Sequence, residues 1–106
     1  MAAGRVMLVL TALPDAKSAR RVAELLIRTK SAACVTAIPG VLSTYRWKGR
    51  ISRSRETLLV VKAPRKNYLK IERAIRKNHP YELPEILRIP LDGGSSEYLS
   101  WLHRSC

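Results

Sequence analysis

The sequence predicts an α+β fold, a ferredoxin-like βαββαβ plait followed by a C-terminal helix. Three observations carry that prediction. A short apolar, β-branched run leads into an amphipathic helix, two long extended segments meet at a Lys-Gly turn, and a second helix runs into a proline-bounded connector and a last strand. At 106 residues the chain has room for one core, so a single domain spanning 1–106 is expected.

Val6 to Leu10 is the first expected strand. Pro14-Asp15 then opens a helix, with Asp15 as N-cap because its carboxylate can accept from the free amides of the first turn. Ala19, Val22, Ala23, Leu26 and Ile27 recur at helical spacing, while Arg20, Arg21, Glu24 and Arg28 fall mostly on the other side, as far as Thr29-Lys30. Ala33 to Ala37 and Val41 to Trp47 read as extended, joined by a Pro39-Gly40 bend, where a proline inside a strand pattern implies an edge, a bulge or a kink. Lys48-Gly49 is a hairpin turn, and Arg50 to Lys62 returns as a long strand with Leu58 to Val61 buried on both faces. Strands this long exceed what one small sheet needs, so their ends should project and seek a partner. Lys66 to Asn78 is the second helix, with Tyr68, Ile71 and Ile75 inward. Glu85 to Pro90 is the last strand, Asp92 to Ser96 a turn, and Glu97 to Ser105 a terminal helix.

Hydrophobic residues make up 46% of the chain, which suits a globular protein and argues against disorder. No apolar run is long enough for a membrane span, so no membrane partner is expected. Met1 to Leu10 lacks a small-residue cleavage site and reads as strand rather than signal peptide, which points to the cytoplasm. Cys34 and Cys106 form no metal-type spacing. They are read as a small buried hydrophobe and a free thiol, without a disulfide. The balance of 20 Lys+Arg against 8 Asp+Glu, net +12, would attract phosphates or nucleic acid without specificity. The basic residues are spread over several elements, as on solvated faces, rather than gathered in one groove.

Chemistry concentrates in His79-Pro80-Tyr81-Glu82-Leu83-Pro84-Glu85-Ile86. Two prolines stiffen this connector and push the residue before each towards an extended backbone, so an imidazole, a phenol and two carboxylates are held on a fixed path. His79, Glu82, Glu85, Cys34 and His103 are the metal-ligating candidates, yet no HxH or HExxH pair is present. A surface copper or zinc adduct at His79 fits better than a closed site. A nucleophile elbow and a phosphate-binding P-loop are both missing, since Asp92-Gly93-Gly94 lacks the lysine and the helix-entry spacing. The third strand has no aromatic residue between Ile51 and Val61, so the stacking platform of an RNA-recognition domain is absent and nucleic-acid binding rests on charge alone. Tyr45, Trp47, Tyr81, Tyr98 and Trp101 are read as core and interface packing. Lys62, at the end of a buried strand, calls for a carboxylate partner, with Glu85 or Glu82 as candidates. A Lys-Glu-Tyr cluster at a subunit boundary would suit a small anion.

Ala32-Ala33-Cys34-Val35, Ile38-Pro39-Gly40-Val41, Ser43 to Gly49, His79-Pro80-Tyr81 with Pro84-Glu85-Ile86, and Tyr98-Leu99-Ser100-Trp101-Leu102 resemble the CutA divalent-cation-tolerance proteins, in order and over essentially the whole chain. The resemblance implies a ferredoxin-like protomer in a tight homotrimer whose second and third strands pair across subunits. It also implies a part in divalent-cation (copper) tolerance, as a metal-binding or small-ligand sensor with no catalytic reaction. It implies a ligand cleft of Trp47, Lys62, Tyr81 and Glu85, with His79 and Glu85 on the metal side and Cu²⁺ or another divalent cation weakly bound. Two of the family's copper donors are missing. Leu10 stands where a cysteine is expected, and Asn78-His79 stands where two histidines are expected, which weakens any copper site. The alternative is a basic polyanion- or nucleic-acid-binding module on the same fold.

Overall fold

The computed structural model describes residues 5–106; the first four residues of the expected domain, and of the stretch read as strand rather than signal peptide, lie outside them. Within that range the order is β1 (Val6–Leu13), α1 (Ala16–Arg28), β2 (Cys34–Trp47), β3 (Arg50–Pro64), a 3₁₀ turn (Arg65–Asn67), α2 (Tyr68–Asn78), β4 (Leu87–Leu91) and α3 (Ser96–Arg104). The four strands form one antiparallel sheet in the order β2-β3-β1-β4, the expected plait with its extra helix.

Local chemistry sets the boundaries. Asp15 is extended and its carboxylate accepts from the Ser18 amide at 2.7 Å, so α1 starts where expected. Lys30 in the left-handed region closes α1, as the amides of Lys30 and Ser31 fold back onto the carbonyls of Ile27 and Leu26. Lys48 and Gly49 both have positive φ, 51° and 77°, between the paired Trp47 and Arg50. That is the backbone of a tight two-residue hairpin, whose twist matches its strands.

One face of the sheet carries the core. Met7, Val9 and Leu13 of β1 alternate with Leu59, Val61 and Ala63 of β3 beneath Val22 and Leu26 of α1 and Ile71 and Ile75 of α2, all with 0% exposure. α3 buries Leu102, which stands outside that cluster.

The opposite face follows from the register. Leu8 pairs with Lys62 and Ile89, Leu10 with Val60 and Leu87, and Ala12 with Leu58, which in turn pairs with Ile38. Partners in register share a face, so this side presents an aliphatic surface on which Ile38, Leu87 and Ile89 are exposed. β1 pairs with β3 only from Thr57 to Pro64, so the outer half of the β2–β3 hairpin stands clear of the sheet. The protomer accordingly measures 48 Å along its longest axis against 26 and 22 Å across.

Several boundaries differ from expectation. The two extended pieces around Pro39-Gly40 join into one strand. The edge position and irregularity that the proline implied are both present, the irregularity between Ile38 and Val41, where the edge strand absorbs the missing donor of Pro39 and the positive φ of Gly40, 73°. β1 runs on to Leu13, β4 begins at Leu87 rather than Glu85, and α2 is entered through a 3₁₀ turn. Leu58 and Val60 are half-buried, since no helix pair covers their face. Ile27, expected on the inner side of α1, is exposed, and Cys34 is half-buried rather than buried.

Candidate functional site

Pro80 forces His79 out of the helical region, to φ −88° and ψ 134°, which ends α2 and turns the imidazole towards the end of β1. His79 is 8% exposed, and its Nε2–H donates to the Ala12 carbonyl at 2.8 Å. Its Nδ1 accepts the Tyr81 amide at 3.1 Å, which fixes the neutral Nε2–H tautomer. Burial pushes its pKa below the ordinary value, against smaller upward pulls from the Ala12 carbonyl and the Glu56 carboxylate. Both ring nitrogens are therefore engaged in holding the connector to the sheet.

The Tyr81 ring lies 4.9 Å from that of His79, and its hydroxyl donates to Glu56 Oε2 at 2.7 Å. Glu56 sits on β3 one residue beyond the last β1 pairing and is 8% exposed. The same face carries Tyr45, whose hydroxyl is 2.6 Å from that of Ser54. Glu56, rather than Glu82 or Glu85, is thus the acid of the cluster. Sequence reasoning missed it because nothing local marks one carboxylate in the Arg55-Glu56-Thr57 stretch as the one that lands opposite Tyr81.

Burial, followed by the hydrogen bond to Glu56, raises the Tyr81 pKa to about 12. The folded state therefore holds the phenolic proton more tightly than the unfolded chain. The stabilisation is complete below pH 10, the ordinary value, and is lost as pH rises through about 12. An ultraviolet phenolate titration should show one of the four tyrosines ionising last, and Glu56→Ala should bring it back towards the others. Unchanged titration in Glu56→Ala would remove the Glu56 contact from the explanation.

Lys62 does not meet Glu82 or Glu85. Its Nζ donates to Thr36 Oγ1 at 2.7 Å and lies 3.7 Å from Cys34 Sγ, because the register sets Lys62 opposite Cys34. The predicted carboxylate partner is replaced by a cross-strand hydroxyl and thiol. Glu85 and Glu82 are exposed on the connector. Trp47 is 55% exposed beside the hairpin turn. Alternation puts Trp47, Tyr45, Glu56 and Lys62 on one side of the sheet, but Lys62 lies twelve residues along β3 from the Arg50 that pairs with Trp47, roughly 40 Å away. One protomer brings together His79, Tyr81 and Glu56, and leaves Trp47 and Lys62 at opposite ends of the face.

The donor set does not fit a closed metal site: among the described residues no three His, Cys, Asp or Glu side chains converge. Nor does the open face offer a stacking platform at its base, where the exposed side chains are aliphatic.

The chain matches the sequence profile described as "CutA1 divalent ion tolerance protein" over residues 7–105. It belongs to the CutA1 family. A CutA protein of Pectobacterium atrosepticum is 36% identical over 99 residues, covering 93% of this chain and 90% of the relative. One from Thermus thermophilus is 38% identical over 97 residues, 92% of this chain and 94% of the relative. The crystal structure of CutA1 from Oryza sativa superposes with a TM-score of 0.94 at 32% identity, covering 96% of this chain and 94% of that one. The CutA1 fold thus coincides with the plait built above from register and burial. Among the described residues no helix is long and apolar enough to cross a membrane.

Proposed function

We propose that the chain acts in divalent-cation tolerance as a homotrimer without catalysis, with a small-ligand cleft completed between subunits. The tolerance role rests on the names of its relatives, "Divalent-cation tolerance protein CutA". The observation that carries the assembly is the open sheet face. It continues from Leu87, Ile89 and Ile38 onto a hairpin whose outer half has no further neighbouring strand among the described residues, and water covers it in the protomer at a cost. A second copy's hairpin laid along that face would carry its Trp47 towards the Lys62 end, and would line one polar cleft running past Glu85 from Lys62 to Tyr81, whose Glu56 partner lies roughly 20 Å along β3 from Lys62. The location we propose is the cytoplasm.

The metal part of this reading is small. Cu²⁺ or another divalent cation would be held weakly through Glu85, and His79 would add a nitrogen only by giving up the Tyr81 amide. Calorimetric titration of the protein with Cu²⁺ tests it. The expected result is weak, saturable binding that Glu85→Ala removes and His79→Ala reduces. Absence of saturable binding would end the copper reading and direct attention to small anions in the cleft.

A further inference from the structure

A cavity of about 440 Å³ opens where the start of α1 meets the end of α2. Its walls include Pro14 and Pro80, and three cations reach it: Lys17 and Arg21, one turn apart on α1, and Lys77 from the last turn of α2. His79 also lines it, so it adjoins the cluster described above, but its cations come from the two helices and not from the sheet. Volume places it within the range of small-ligand sites, roughly 300–1,000 Å³.

All three cations line the cavity, and none of them has a direct ion pair among the described residues, although Lys17 and Arg21 feel the Asp15 carboxylate at longer range. Among the described residues the ion pairs are Glu24–Arg28 and Glu72–Arg76, neither of which involves Lys17, Arg21 or Lys77. The one carboxylate lining the cavity, Asp15, is already engaged by the Ser18 amide as the cap of α1. The neutral polar neighbours are also occupied: Ser18 Oγ donates to the Asp15 carbonyl, Asn78 Nδ2 to the Ala74 carbonyl, and both ring nitrogens of His79 are engaged by Ala12 and Tyr81. What remains for a ligand is therefore a guanidinium and two ammonium groups. The positive end of α1 and the negative end of α2 both point here and roughly cancel, at about half a charge each. The side chains decide the sign, with a surplus of two positive charges over Asp15.

We propose that this cavity binds a small linear oligophosphate through Lys17, Arg21 and Lys77. A guanidinium engages one phosphate through two parallel bonds, while lysines act as point charges on others. Three donors arriving from two helices suit an anion with several phosphates better than a single one. The general positive field of the chain would draw such a ligand in, and the cavity gives it a place to stop.

The test is calorimetric titration of the whole protein with inorganic triphosphate at about 0.15 M salt, where the Debye length of roughly 8 Å suppresses distant charges. The expected result is one saturable site per chain. K17A/R21A/K77A should weaken it about tenfold or more, as the loss of charge-assisted contacts requires. K66A/K70A/R104A, which removes the same charge from exposed positions away from the cavity, should change it by less than about twofold. In the unaltered protein the backbone amide resonances of Lys17, Arg21 and Lys77 should shift on titration, and those of Lys66, Lys70 and Arg104 should not. Equal weakening in both triple variants, shifts spread over all basic residues, or no saturable binding would each overturn the site in favour of a diffuse polyanion field.

Discussion

Leu59→Ala should cost about 2–5 kcal/mol of stability, among the largest effects of any single change in the protomer. Leu59 has no exposed surface and sits on the core side of β3, opposite Thr11 of β1 and Ala37 of β2. Truncation there removes apolar burial and leaves a hole between the sheet and both helices, which the fixed strand spacing cannot close. Denaturant unfolding should show a lower midpoint with an unchanged slope, since the surface exposed on unfolding hardly changes. Leu59→Met, which keeps the volume, should lose less than about 1.5 kcal/mol. If Ala and Met variants were equally stable, the core assigned to this face would be wrong.

Ile38→Asp should act on assembly instead. Ile38 is 42% exposed in the protomer, so a lone chain would tolerate a carboxylate there within about half a kcal/mol. In a trimer sealed along the open face, the same carboxylate would be buried without a partner in all three copies, at several kcal/mol each. The expected outcome is a fall in mass, measured by light scattering, with a far-ultraviolet circular dichroism spectrum that remains folded. An Ile38→Asp protein that kept the mass of the parent would place the subunit contact elsewhere.

Elements whose signals are local were legible in the sequence. Asp15 follows a proline and precedes an amphipathic run, and it caps α1 as read. Lys48-Gly49 supplies the two positive φ values a tight hairpin demands. Pro80 next to His79 marks the end of α2 and the fixed start of the connector. The losses are of another kind, because they depend on register. Lys62 lies opposite Cys34, not near Glu85, through a strand pairing that no single segment records. Glu56 meets Tyr81 across twenty-five positions of chain for the same reason. Pro39-Gly40, by contrast, is a local signal that holds: a proline in a strand pattern implies an edge or a bulge, and β2 is an edge strand with an irregularity there. Of the predicted site residues, His79 and Tyr81 come together in the protomer, whereas Trp47 and Lys62 would need a second copy.

The absolute mass of the purified protein in solution tests the central claim most directly. The account predicts about 36 kDa, three times the 12.0 kDa chain, unchanged on dilution through the micromolar range. A particle of 12.0 kDa would contradict it, because the open face and the outer hairpin would then be left to water and the cleft could not form.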